Sequence, residues 1–86
     1  MSNVSVTHLN KDDFEVTVRE GTTTRHIVTV TDAYHQRLTE GRLSKEELLI
    51  KSFAFLLDRE SNTMILGRFE LPVIQRYFPE YEGTIG

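Results

Sequence analysis

The stretch LLIKSFAFLL, residues 48–57, decides the fold of this chain. Eight of its ten residues are apolar, and the exceptions are Lys51 and Ser52. A helix on the surface of a small domain usually carries one apolar stripe, whereas this one would be apolar on most of its sides. Either the C-terminal part of the same chain or a second copy of the chain must therefore cover it. We favour the first explanation because it needs no partner.

A strong helix-start signal lies just before this stretch. Ser44 and Glu47 have the spacing of a capping box, in which the hydroxyl accepts from the N3 amide and the carboxylate reaches back to the N-cap amide. Leu43 and Leu48 are placed to form a hydrophobic staple across that cap. No Gly or Pro interrupts the segment, and we predict a helix over residues 45–60.

The first third of the chain alternates between apolar and polar residues. In FEVTVRE, Phe14, Val16 and Val18 share one face and the polar residues share the other. VSVTHL before it and RHIVTVT after it alternate in the same way, and turn-like NKDD and EGTTT separate the three. Period-two patterns rich in Val and Thr are typical of half-buried antiparallel strands. We predict a three-stranded antiparallel meander over residues 4–31.

Shorter helices are expected on both sides of the central one. DAYHQRLTEG reads as a short helix capped by Thr31 or Asp32 and ended by Gly41. SNTMILGRF reads as a helical turn, and PVIQRYF as a helix that Pro72 opens and Pro79 stops.

The fold class predicted from these patterns is α+β. We expect one domain over residues 1–86, with a β meander over 4–31, a helical part over 32–82 and a frayed tail over 83–86. The helical part comprises a short helix, a central buried helix and a C-terminal helical segment. That last segment would cover the central helix with Ile65, Leu66, Phe69, Ile74 and Phe78.

Composition narrows the range of partners. The net charge is -3 and no basic block stands out, so a nucleic-acid partner is disfavoured, because phosphate neutralisation supplies most of that affinity. There are no Cys residues, which removes disulfides and thiolate metal sites. MSNVSVTHLN lacks the charged and apolar regions of a signal peptide, and no apolar run is long enough for a membrane span. We expect a soluble cytoplasmic protein.

Catalytic and metal-binding patterns are weak throughout. His26 shares a face with Val28 and Val30, and we interpret it as a hydrogen-bonded core histidine rather than a ligand. Asp12 and Asp13 sit in a turn, where carboxylates usually serve turn geometry. We predict no enzyme activity, no cofactor and no metal.

The residues GRFELPVIQRYFPEYEG contain the best candidate binding residues. Arg68, Arg76, Tyr77 and Tyr81 cluster in this segment, and Tyr and Arg are enriched at interface hot spots. The alternative is that the aromatic residues complete the core of a small protein. Both interpretations stay open for Tyr77 and Tyr81.

Residues 25–60 resemble a ribbon-helix-helix segment, with a strand, a helix, a turn containing Gly41 and a second helix opened by Ser44. The resemblance implies a DNA-binding dimer whose paired strands enter the major groove. Groove-facing side chains would then come from Arg25, Ile27, Thr29 and Thr31, with Ser44 and Lys45 near phosphate. Against it stand the short first helix, the acidic residues Glu46 and Glu47, and an upstream hairpin at the strand edge that the dimer requires.

SFAFLLDRE, followed by ILGRFELPVIQRYFPEYE, is similar to a family of small bacterial proteins with an SFxFLLxRE segment and a C-terminal YFPEYE motif. Ser61 and Glu70 depart from the residues that this family often has there, and both suit helix starts. The resemblance implies no activity and no site residue. The leading hypothesis is therefore a protein-interaction module with an unknown protein partner or self-association, and the alternative is a ribbon-helix-helix-like regulator using the strand 25–31.

Overall fold

The computed structural model describes residues 3–85, which form a four-stranded sheet covered on one face by helices. The strands are β1 (Val4–His8), β2 (Asp13–Glu20), β3 (Thr22–Thr29) and β4 (Arg68–Glu70). The helices are α1 (Asp32–Thr39), α2 (Lys45–Leu57), α3 (Val73–Tyr77) and α4 (Tyr81–Ile85), and a 3-10 turn spans Asn62–Met64.

The sheet has the order β1-β2-β3-β4. The first three strands form the predicted antiparallel meander, with Val16 opposite His26. The predicted α+β class is confirmed, but the count of three strands was wrong. After α1 and α2 the chain returns to the sheet, and β4 pairs parallel to β3 with Phe69 opposite Val28.

One face of the sheet forms the floor of the core. Phe14, Val16 and Val18 are buried, as the alternation predicted. Leu48, Leu49 and Phe53 of α2 are 0% exposed and belong to the same apolar cluster. Burial of each such side chain contributes roughly 1.5–3 kcal/mol, so the packing of α2 on the sheet is a main source of the stability of the fold.

The predicted capping box opens α2. Glu47 N–H donates to Ser44 Oγ over 3.1 Å, and Ser44 N–H donates to the Glu47 carboxylate over 2.8 Å. The helix ends at Leu57, three residues earlier than predicted. The amides of Arg59 and Glu60 both donate to the Leu56 carbonyl over 2.9 Å, which turns the chain away from the helix axis.

The C-terminal segment of the same chain covers α2. Tyr81 at the start of α4 is 0% exposed and its hydroxyl lies 2.6 Å from Ser52 Oγ. The first explanation for the apolar stretch is therefore the one observed. Only one narrow outer face of α2 stays in solvent, where Lys51 and Ala54 are exposed and Ile50 is 38% exposed.

The predicted frayed tail over residues 83–86 was wrong for the part that the structure describes. Residues 83–85 continue α4, and Ile85 is buried. The helix is held to α1 by Glu82, which accepts from the Tyr34 hydroxyl over 2.8 Å and pairs with Arg37 over 3.1 Å. Tertiary contacts therefore stabilise a segment whose local sequence is a poor helix former. Gly86 lies outside the described residues.

Candidate functional site

A groove of about 370 Å³ lies at the β4 side of the molecule, between the C-terminal end of α2, the 3-10 turn and α3. Its volume is within the range of small ligand pockets and would admit a few side chains of a partner. The side chains that line it are mostly apolar and include Leu56, Met64, Leu66, Phe69, Ile74 and Tyr77.

Three apolar side chains of this groove are strongly exposed. Met64 and Tyr77 are each 69% exposed, and Leu66 is 48% exposed. Large apolar side chains scattered singly over a surface are normal, whereas a cluster of them marks an interaction site. The gathering of these three side chains around one concave surface is the main functional signal of the fold.

A carboxylate sits in the same groove. Glu60 is half-buried, and burial raises the pKa of its carboxyl above the ordinary value. Among residues 3–85, its side chain makes no ion pair and no hydrogen bond. The groove therefore contains one unneutralised, partly desolvated negative charge within an apolar lining.

A network of buried polar side chains holds residues 62–66, which form one wall of the groove, in place. The Leu66 carbonyl lies 2.7 Å from His26 Nδ1, and Thr24 Oγ1 lies 2.8 Å from His26 Nε2. Because a carbonyl can only accept, Nδ1 carries a proton and donates to Leu66, while Nε2 and the Thr24 hydroxyl share the second hydrogen bond. Asn62 Nδ2 in turn donates to Thr24 Oγ1 over 3.0 Å and to the Thr22 carbonyl over 2.7 Å.

These bonds fasten residues 62–66 to β3 and fix the positions of the exposed apolar side chains. They also confirm the interpretation of His26 as a core residue, since its ring is 2% exposed and both ring nitrogens are hydrogen-bonded.

β4 offers a free strand edge beside the groove. Ile27 N–H donates to the Gly67 carbonyl over 2.8 Å, and Leu71 N–H donates to the Thr29 carbonyl over 3.0 Å. Backbone N–H and C=O groups alternate in direction along a strand. The backbone groups of Phe69 therefore also point towards β3, whereas those of Arg68 and Glu70 point away from it. No strand of residues 3–85 lies on that outer side.

The predicted binding residues divide into three groups. Tyr77 lines the groove. Arg68 and Arg76 are exposed but do not line it, although Arg68 lies on the free edge of β4. Tyr81 is not a surface residue at all, because α4 folds against α2 and the phenol finds a buried partner in Ser52.

Met64, Leu66 and Glu60 were not predicted as groove residues. Leu66 was expected to cover α2, whereas Ile65 between Met64 and Leu66 is the residue that is buried. Three consecutive apolar residues carry no period that could separate the buried one from its exposed neighbours.

The ribbon-helix-helix alternative required a free edge on the strand 25–31. In the structure β2 pairs along the whole of β3 on one side and β4 pairs with residues 27–29 on the other, so these three residues have no free edge for a second β3. The groove-facing residues of that alternative, Arg25 and Thr29 among them, therefore lie on an interior strand.

The described residues also bear on metals and membranes. Within residues 3–85, no three His, Asp or Glu side chains come together in a way that could hold a metal ion. Of the helices in the same residues, none combines the length and apolar character needed to cross a membrane. Comparison of the sequence with protein-family models, curated proteins and solved structures finds no match.

Proposed function

We propose that this protein is a non-enzymatic interaction module that binds another polypeptide through its β4 surface. The β4 surface comprises the free edge of Arg68–Glu70 together with Met64, Leu66 and Tyr77. The observation that carries the proposal is the gathering of three exposed apolar side chains beside an unpaired strand edge. An open edge invites strand addition, and natural proteins usually cover such edges.

The free edge favours a polypeptide over a small molecule as the ligand. The outward N–H and C=O groups of Arg68 and Glu70 repeat at the spacing of an extended chain. In strand addition these groups supply affinity, while neighbouring pockets accept alternate side chains. The groove beside Phe69 is such a pocket.

The lining of the groove favours binding over catalysis. Acid-base catalysis requires titratable groups within hydrogen-bond reach of each other or of the substrate. Glu60 has no nucleophile or base hydrogen-bonded to it among residues 3–85. The groove therefore offers apolar contact and one charge rather than an assembled reactive centre.

A site-specific photocrosslinking experiment in the native host tests the proposal. Leu66 and Leu9 form a matched pair, since both are 48% exposed but Leu9 lies in the turn after β1. A photoreactive residue at position 66 should give a discrete polypeptide adduct, identified by mass spectrometry, and one at position 9 should not. Met64→Glu should abolish the adduct at position 66. Equal or absent crosslinking at the two positions would contradict the proposal.

A further inference from the structure

We infer that the polypeptide bound at the β4 surface is a second copy of this chain, with the two β4 strands antiparallel about a two-fold axis at Phe69. The inference rests on the proposed function, because it names the partner of the same surface. A symmetric dimer uses one patch twice, so the patch must be complementary to itself.

The backbone of β4 meets that requirement. An axis at Phe69 places Arg68 opposite Glu70 of the partner subunit, and both residues direct their backbone groups outward. In an antiparallel ladder, opposed residues of this kind exchange two N–H···O bonds. The pair formed by Phe69 and its symmetry mate is then the non-hydrogen-bonded one. This agrees with the backbone N–H and C=O of Phe69 pointing towards β3.

The charges on β4 select the same axis. Arg68 and Glu70 are exposed on the sheet face opposite Phe69, and among residues 3–85 neither makes an ion pair. An axis at Phe69 sets each against the opposite charge of the other copy. An axis at Arg68 or at Glu70 would oppose like charges, and like charges directly across a strand pair are destabilising.

The apolar side chains explain why the pairing would hold. A three-residue strand forms few backbone bonds, so an isolated β4 pair would be weak. Met64, Leu66 and Tyr77 belong to the groove that Phe69 also lines, on the helical side of the sheet. In the symmetric pair these side chains of both copies lie next to the axis, where they can cover one another.

Charge reversal combined with mixing tests the inference in sedimentation experiments on the full chain at low salt. Arg68→Glu opposes two carboxylates across the axis, and Glu70→Arg opposes two guanidinium groups. Each variant alone should raise the dimer dissociation constant by roughly tenfold or more. An equimolar mixture of the two variants should recover dimers, because every opposed pair in the mixed dimer is again complementary. Misfolding of one variant cannot produce that recovery.

Arg25→Glu is the matched control, since Arg25 is exposed on an interior strand and its reversal should leave the dissociation constant unchanged. The inference is overturned if the unmodified chain stays monomeric at millimolar concentration, or if the mixture behaves like the separate variants. The crosslink at position 66 separates this failure from failure of the proposed function. An adduct of twice the chain mass supports the inference, whereas an adduct with a different polypeptide overturns it and leaves the interaction module standing.

Discussion

The Tyr81 hydroxyl lies 2.6 Å from Ser52 Oγ, and both side chains are completely buried. Ser52 Oγ also lies 2.7 Å from the Leu48 carbonyl, which can only accept. The single serine proton therefore goes to Leu48, and Tyr81 is the donor to Ser52. This bond joins α4 to the middle of α2 and determines how the core responds to substitution.

The direction of that bond predicts unequal effects of two conservative substitutions. Tyr81→Phe removes a donor and leaves Ser52 bonded to Leu48, so it should cost about 1 kcal/mol of unfolding free energy. Ser52→Ala strands a buried phenol without an acceptor and should cost more, about 1–3 kcal/mol. The double variant should cost less than the sum of the two. Urea denaturation of the three variants measures these costs. Strictly additive costs would contradict an interaction between the two side chains, and a cost of Tyr81→Phe equal to or above that of Ser52→Ala would contradict the assignment of Tyr81 as donor.

Tyr81 should also make the fold sensitive to alkali. Burial is the main cause that raises the pKa of Tyr81 to about 12, and the hydrogen bond with Ser52 opposes it. The unfolded phenol ionises near pH 10, so this contribution is complete below about pH 10 and is lost as the pH rises towards 12. Two pH units correspond to about 2.7 kcal/mol at most. Unfolding free energy measured from about pH 9 to about pH 11 should fall more steeply for the unmodified chain than for Tyr81→Phe. Equal slopes for the two proteins would show that burial does not raise the pKa of Tyr81.

The hydrogen bonds of Asn62, Thr24 and His26 behind the groove should keep residues 62–66 ordered. Asn62→Ala leaves the Thr22 carbonyl without its side-chain donor and should cost about 1–3 kcal/mol. The amides of Met64 and Ile65, which donate to the carbonyls of Ser61 and Asn62, should then exchange faster with solvent. Thr63→Ala, at an exposed neighbouring position, is the control and should change neither quantity much. Equal exchange rates in the two variants would mean that the order of residues 62–66 does not depend on the hydrogen bonds of Asn62.

Glu60 should lower the stability of the free protein at neutral pH. Its pKa is raised in the folded state, so protonation favours folding and the benefit is lost as the pH rises through that pKa. Glu60→Gln should therefore stabilise the chain by roughly 0.5 kcal/mol at pH 7 and have little effect near pH 4. Glu46→Gln is a control that should change the unfolding free energy in the opposite direction. Glu46 lies in the first turn of α2, where its negative charge interacts favourably with the helix dipole. Destabilisation by Glu60→Gln at pH 7 would contradict this description of the groove.

Local patterns in the sequence were sufficient for most of the fold. Alternation predicted the three meander strands, and the Ser44 capping box placed the start of α2. β4 was missed because RFE contains a single apolar residue and pairs with residues about forty positions earlier. No local period can report a pairing over that distance.

The site was harder to predict because exposure depends on tertiary contacts. The sequence left Tyr81 open between the core and an interface, and the one serine within the apolar stretch is its buried partner. Ser52 interrupts LLIKSFAFLL and was therefore a signal that a polar group must be met inside the core. Nothing comparable in the sequence separates exposed Leu66 from buried Ile65.

Amide exchange of Arg68 and Glu70, followed by NMR at concentrations far below and far above the dimer dissociation constant, tests the central claim most directly. Both amides point away from β3, so they should exchange quickly in the dilute protein and become protected in the concentrated protein. The Phe69 amide faces β3 and should be protected in both. Rates for Arg68 and Glu70 that do not change with concentration would contradict pairing through the β4 edge.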